Sequence, residues 1–206
     1  MKKNLLKKIL FVFAVLSQIA IYSYMIAKRN HLLKTGKPIM LKCEPVDPRS
    51  LFSGDYVILN YEISRLDIKL FDGKSYQLDK GDRVYVGLEK EKIDEEKLKK
   101  LKTLKERKDY LKNIKFHQAR TIVKVNKKSL EKLNEKYSVV MKGTVISNDS
   151  LGLRVRYGVE DYFVPQFEGK KIEKQMSGVS VLVVISQSGE SAIKKLFINE
   201  KEVQFR

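Results

Sequence analysis

Residues 9–27 (ILFVFAVLSQIAIYSYMIA) carry no charge, and they lie between Lys2, Lys3, Lys7 and Lys8 on one side and Lys28 and Arg29 on the other. At a rise of about 1.5 Å per residue, such a run makes a helix of roughly 28 Å, enough to cross a bilayer core of about 30 Å with little tilt. The run is longer than the apolar core of a secretory signal, and no small-x-small cleavage site follows it. The expectation is therefore a retained single-pass anchor, preceded by a short basic tail over 1–8. Lysine at position 42 does not fit the small-residue pattern that precedes a lipidated cysteine, so Cys43 reads as a strand residue.

Basic residues flank both ends of the run, with Lys34 and Lys37 adding to the distal side, so the positive-inside rule comes close to a tie. A short N-terminal tail before a single hydrophobic segment favours a signal anchor, with the C-terminal domain outside the cytoplasm at the cell membrane. A single cysteine excludes an intramolecular disulfide and gives no support to either compartment.

Beyond a linker over 28–37, residues 38–206 have the length of one ordinary domain. Short alternating runs predict strands over 39–44, 56–64, 83–88, 119–125, 139–146, 151–157, 179–185, 192–198 and 202–205. In 56–64, Val57, Leu59, Tyr61 and Ile63 share one face. In 151–157, Leu151, Leu153, Val155 and Tyr157 alternate with Arg154 and Arg156. Turn signals at Asn148-Asp149, Ser188-Gly189 and Asn199-Glu200 join these runs as hairpins. The fold class predicted is mainly β, an antiparallel sandwich or partly open barrel. A Lys/Glu-rich run over 91–114, with Leu98, Leu101, Leu104, Leu111 and Ile114 at helical spacing, predicts an inserted amphipathic helix. It would cover an open face of the sheet or dock a partner. A shorter helix is expected over 169–176.

The densest feature is the stretch 45–61 (PVDPRSLFSGDYVILNY), in which two prolines, a Gly-Asp turn and several charged side chains abut a strand. Its Gly54-Asp55-Tyr56-x-x-Leu59-x-Tyr61 resembles the motif of the GDYXXLXY family of bacterial membrane-anchored proteins. The stretch 157–165 (YGVEDYFVP) is similar to an aromatic-rich turn in the C-terminal half of that family. The resemblance implies an architecture and no reaction. Candidate binding residues are Asp47, Arg49, Gly54, Asp55, Tyr56 and Tyr61 in the first block, with Arg49 and Asp55 as a charge-assisted pair. Glu160 and Tyr162 are the candidates in the second. Gly81-Asp82 echoes Gly54-Asp55, and a turn glycine followed by an Asp that bonds a downstream amide accounts for such a pair without any function.

The catalytic motifs G-x-S-x-G, H-E-x-x-H, the P-loop and G-x-G-x-x-G are missing, and His31 and His117 are the only histidines. No metal site and no cofactor are expected. The enzyme alternative is a membrane-bound Ser/Lys peptidase, similar in outline to signal peptidases, in which Ser50 or Ser53 would meet a lysine of lowered pKa. The formal net charge of +17 gives a third reading, a polyanion-binding module, although the lysines are dispersed among glutamates and nucleic acid is not favoured. The leading reading is a membrane-anchored, non-enzymatic binding or accessory domain that partners another membrane or envelope protein.

Overall fold

A computed structural model describes residues 2–44, 56–67, 78–90, 103, 106, 115–149, 152–165 and 178–204. The expected helices over 91–114 and 169–176 lie outside these residues, apart from isolated positions in the first.

Helix α1 runs over Lys2–Thr35. At about 1.5 Å per residue its 34 residues reach roughly 51 Å, well beyond the thickness of a bilayer core. Lys7–Thr35 is long and apolar enough to cross a membrane. Phe11 and Phe13 are each 70% exposed, apolar surface that lipid would cover. Residues 28–35, expected to form a linker, instead continue the helix. The reason is tertiary: Leu32 is buried with Val184 and Ala192, and Arg29 Nη1 donates to the Ser191 carbonyl at 3.1 Å. The last turns thus seat the helix on the domain.

Strand β1 (Lys37–Glu44) starts immediately after it. There follow β2 (Tyr56–Ile58), β3 (Asn60–Tyr61), a 3-10 turn (Glu62–Ser64) and β4 (Arg65–Leu66). Then come β5 (Arg83–Lys90), β6 (His117–Lys124), helix α2 (Lys127–Lys136), β7 (Val139–Asp149) and β8 (Gly152–Arg156). The described chain closes with β9 (Asp161–Phe163), β10 (Val179–Ile185), β11 (Ser191–Ile198) and β12 (Lys201–Glu202). The strands assemble as β12-β11-β10-β1-β3 and β4-β8-β7-β5-β6, with β2 and β9 as a separate pair, and the ladders are antiparallel. Register shifts at Leu182/Val183, Gly87/Leu88 and Val145/Ser147 are bulges, which bend strands and increase twist. The two sheets curve around one core, giving the mainly β, partly open barrel that the alternating runs predict. That core draws Ile39 and Leu41 from β1, Val84 and Val86 from β5, Met141 from β7, Val155 from β8, and Val181 and Leu196 from β10 and β11.

The expected strand 56–64 is broken. Val57, Leu59, Tyr61 and Ile63 are all buried as the period-two pattern requires, but β2 pairs with β9, β3 with β1 and β4 with β8. This segment passes from one sheet to the other, and such corners need bends rather than a continuous strand. Leu59 falls between β2 and β3, and the 3-10 turn completes the change of direction.

Helix α2 is not among the expected elements, although an Asn cap at 126 and leucines at 130 and 133 lie in its Lys/Glu-rich run. Asn126 caps it by accepting from Lys128 N at 3.2 Å, and Leu133 packs with Tyr85 and Val140. Ten residues with two leucines are too few to hold a helix alone, so it exists because the outer faces of β5 and β7 cover it. Gly87 makes this closure possible, since a Cβ there would stand 2.7 Å from the Tyr137 ring.

Two of the three turn signals are accurate; Asn148 and Asp149 instead end β7, paired with Leu153 and Gly152, because the ladder to β8 carries the strand through the local signal. Asn199 and Glu200 both take positive φ (50° and 69°) between β11 and β12, the geometry of a tight hairpin turn. Gly189, at φ 84°, closes the β10–β11 hairpin with its N–H donating to Ser186 O. Gly81 takes φ 96°, and Asp82 accepts from Asp79 N at 3.0 Å and Lys124 Nζ at 2.8 Å. The echo of the motif is therefore a local turn lock, although the amide it holds lies upstream rather than downstream. Lys124 keeps the Asp82 carboxyl below its ordinary range, with the Asp79 amide assisting.

His117 opens β6 opposite Lys90 and is half-buried. Burial first, then the Lys90 charge, lowers its pKa from the ordinary 6.5. A histidine held neutral in the fold stabilises it above the unfolded value and loses that contribution as pH falls through and below about 6.5. Urea midpoints measured at pH 7.5 and 5.5 should drop for the native chain and drop less for His117→Gln.

Candidate functional site

The first motif block and the aromatic turn, separated by about a hundred residues, form one unit. In the β2–β9 ladder Tyr56 faces Phe163, Val57 faces Tyr162 and Ile58 faces Asp161. Leu59 N then donates to Glu160 O at 2.7 Å. Tyr61, fully buried, donates its hydroxyl to the Val159 carbonyl. In return Tyr157, also buried, donates its hydroxyl to the Ile63 carbonyl at 2.6 Å. Each block thus sends a phenol into the backbone of the other. Burial pushes both phenols well above the usual tyrosine range, with Cys43 and then Glu160 adding to the effect at Tyr61, and Glu160 at Tyr157. Both phenols therefore keep their protons, and their donor role, at neutral pH.

Glu160 serves the same turn. Its carboxylate accepts from the Tyr157 and Gly158 amides, the latter at 2.8 Å, and stands 3.6 Å from Arg156 Nε. Two backbone amides that a turn would leave without partners are thereby satisfied. Arg156 also reaches Asp161 at 2.9 Å. Cys43 pairs with Tyr61 across β1 and β3, and burial, then the Glu62 charge, raises its thiol to about 12. A thiol in that state is not a nucleophile at neutral pH.

What reaches the surface is aromatic. Phe163 is 77% exposed, and its ring centroid lies 6.2 Å from that of the partly exposed Tyr56, tilted at 58°. Tyr162, on the alternate face of β9, is half-buried against the core. Of the candidate binding residues, the structure brings Tyr56, Tyr61, Glu160 and Tyr162 together. Asp47, Arg49, Gly54 and Asp55 lie outside the described residues, as do Ser50 and Ser53. Phe163 was not among the candidates; its place beside Tyr162 in the aromatic turn was the available signal. Among the described residues no group of three or more His, Cys, Asp or Glu side chains could hold a metal ion.

A candidate membrane-spanning helix seated on an antiparallel, partly open barrel, with its two aromatic-rich segments joined as one strand pair, defines a membrane-associated β domain. The chain belongs to the GDYXXLXY protein family, whose model matches residues 18–196. That match takes in the second half of the helix, both blocks and nearly all of the sheets. No curated protein and no solved structure matches the chain.

Proposed function

We propose that this protein is a single-pass, membrane-anchored, non-enzymatic binding or accessory domain of the bacterial envelope. Its barrel faces the outside of the cytoplasmic membrane and meets another membrane or envelope protein through the β2–β9 face. The observation that carries the reading is the exposed Phe163, its ring tilted against that of Tyr56, on a strand pair fixed from beneath. Large aromatics with little conformational freedom are the residues that anchor protein interfaces. The polar groups of the same unit, the Tyr61 and Tyr157 hydroxyls and the Glu160 carboxylate, are occupied by backbone partners. They serve to hold the face rather than to react.

A membrane-impermeant amine cross-linker applied to intact cells tests the orientation and the face together. The native chain should give a discrete adduct, and Phe163→Ala should lose it while its melting temperature stays unchanged, since an exposed side chain contributes little to the core. An adduct that persists in Phe163→Ala would move the interface elsewhere. An adduct seen only with a permeant reagent would place the domain in the cytoplasm.

A further inference from the structure

A second feature, independent of the β2–β9 face, lies where α1 meets the sheets. Lys28 Nζ pairs with Glu190 at 2.9 Å, Arg29 reaches Ser191, and Leu32 is buried, so the helix is held against the β10–β11 hairpin. Beside this contact runs a groove of about 790 Å³ between the helix and the second sheet. Arg83, Thr144 and Arg156 line it and are register neighbours across β5, β7 and β8. At about 4.8 Å between strands, the two arginine backbones stand roughly 10 Å apart with a threonine between them. Lys142, two residues before Thr144 and so on the same face of β7, lines it as well.

The charge of the groove is one-sided. Lys28, Arg29, Arg83, Lys142 and Arg156 line it, against the single carboxylate of Glu190. Lys28 is paired with that carboxylate, and Arg156 with Glu160 and Asp161 from outside the lining. Arg83 and Lys142 have no acidic partner among the described residues. Tyr24 and Met25, from the uncharged run, line the other end of the same groove. From Tyr24 to Leu32 the helix rises about 12 Å, somewhat more than the roughly 5–8 Å of headgroup region on each side of a bilayer core. With the uncharged run in a bilayer, the groove would be apolar at its membrane end and cationic at the level of the headgroups.

We infer that this groove seats an anionic phospholipid of the bilayer that α1 crosses, with the phosphate between Arg83 and Lys142 and the acyl chains along Tyr24 and Met25. A soluble polyanion would match the cations but has no use for the apolar end. Lipid binding here also fixes the barrel against the membrane, because the groove is walled by helix and sheet together.

The test uses the full chain in detergent micelles, with bound lipid counted by native mass spectrometry during titration with phosphatidylglycerol and phosphatidylcholine of the same acyl chains. Phosphatidylglycerol should be held about 30-fold more tightly, as expected for two cations near a headgroup. Arg83→Gln with Lys142→Gln should bring the two lipids close to equality, whereas Lys128→Gln with Lys132→Gln on α2 should keep the preference. Equal binding of both lipids by the native chain, or an equal loss in the α2 control, would overturn the inference. Displacement of phosphatidylglycerol by inorganic phosphate at matched concentration would assign the cations to a free anion and overturn it too. Should the double variant fail to fold, Arg83→Gln against Arg83→Lys decides. A preference weakened in the first and kept in the second supports the lipid site, and no difference between them removes it.

Discussion

Leu59→Ala is expected to lower the stability of the domain by about 2–5 kcal/mol, the cost of truncating a leucine whose surroundings cannot collapse into the space. Leu59 is completely buried, and its neighbours leave it no freedom: Val57 and Tyr61 on either side are also fully buried. Its amide is fixed by the Glu160 carbonyl, so the backbone cannot move inward to fill the void. In a chain of this size the loss corresponds to a fall in melting temperature of roughly 4–20 °C. A denaturant titration should show a lower midpoint with an unchanged slope, because the cavity changes stability and not the surface exposed on unfolding. A shift below about 0.5 kcal/mol, the range of ordinary surface substitutions, would mean that the crossing segment is not part of the core.

Removing both buried hydroxyls, Tyr61→Phe together with Tyr157→Phe, is expected to cost about 2–6 kcal/mol. Each substitution keeps the ring and deletes only the donor. It leaves the Val159 or the Ile63 carbonyl buried without that partner, a penalty of about 1–3 kcal/mol for each group. The two bonds close the same junction from opposite sides, so the single variants and the double variant form a cycle in which coupling is measurable. Additive losses would mean that the two clamps act separately; a departure from additivity of about 0.5 kcal/mol or more would show that they form one cooperative unit. If neither variant changes the unfolding midpoint, the junction is not held by these bonds.

The apolar helix, the alternation of Leu153, Val155 and Tyr157 against Arg154 and Arg156, and the turns at Ser188-Gly189 and Asn199-Glu200 were all legible in the sequence. Local physics decides each of them. An uncharged run of nineteen residues can hide its backbone from lipid only as a helix. A two-residue period divides a strand into a wet and a dry face. Positive φ at a tight hairpin favours asparagine and glycine. Leu59 and Tyr61 were legible as core positions for the same reason of period.

Other elements depended on partners remote in the chain. Residues 28–35 continue as helix because Leu32 finds Val184 and Ala192, which lie some 150 residues away. Helix α2 forms because Tyr85 and Val140 cover Leu133, and the strand through the motif breaks because β9, β1 and β8 each claim a different part of it. The candidate site shows the same division. The two motif blocks marked Tyr56, Tyr61, Glu160 and Tyr162, and period two set Tyr56 and Tyr61 on opposite faces, but neither says which backbone group a buried phenol reaches. The sequence alone determined an apolar helix long enough to cross a membrane, the faces of the strands and two of the turns between them, since these follow from neighbours within a few residues. The tertiary structure alone decided that the two blocks meet, that the Tyr61 hydroxyl and the Glu160 carboxylate hold the junction while Phe163 lies exposed beside Tyr56, and that the cations of three strands line a groove beside the helix. Those are outcomes of long-range strand pairing, whose register is set only when both strands are present.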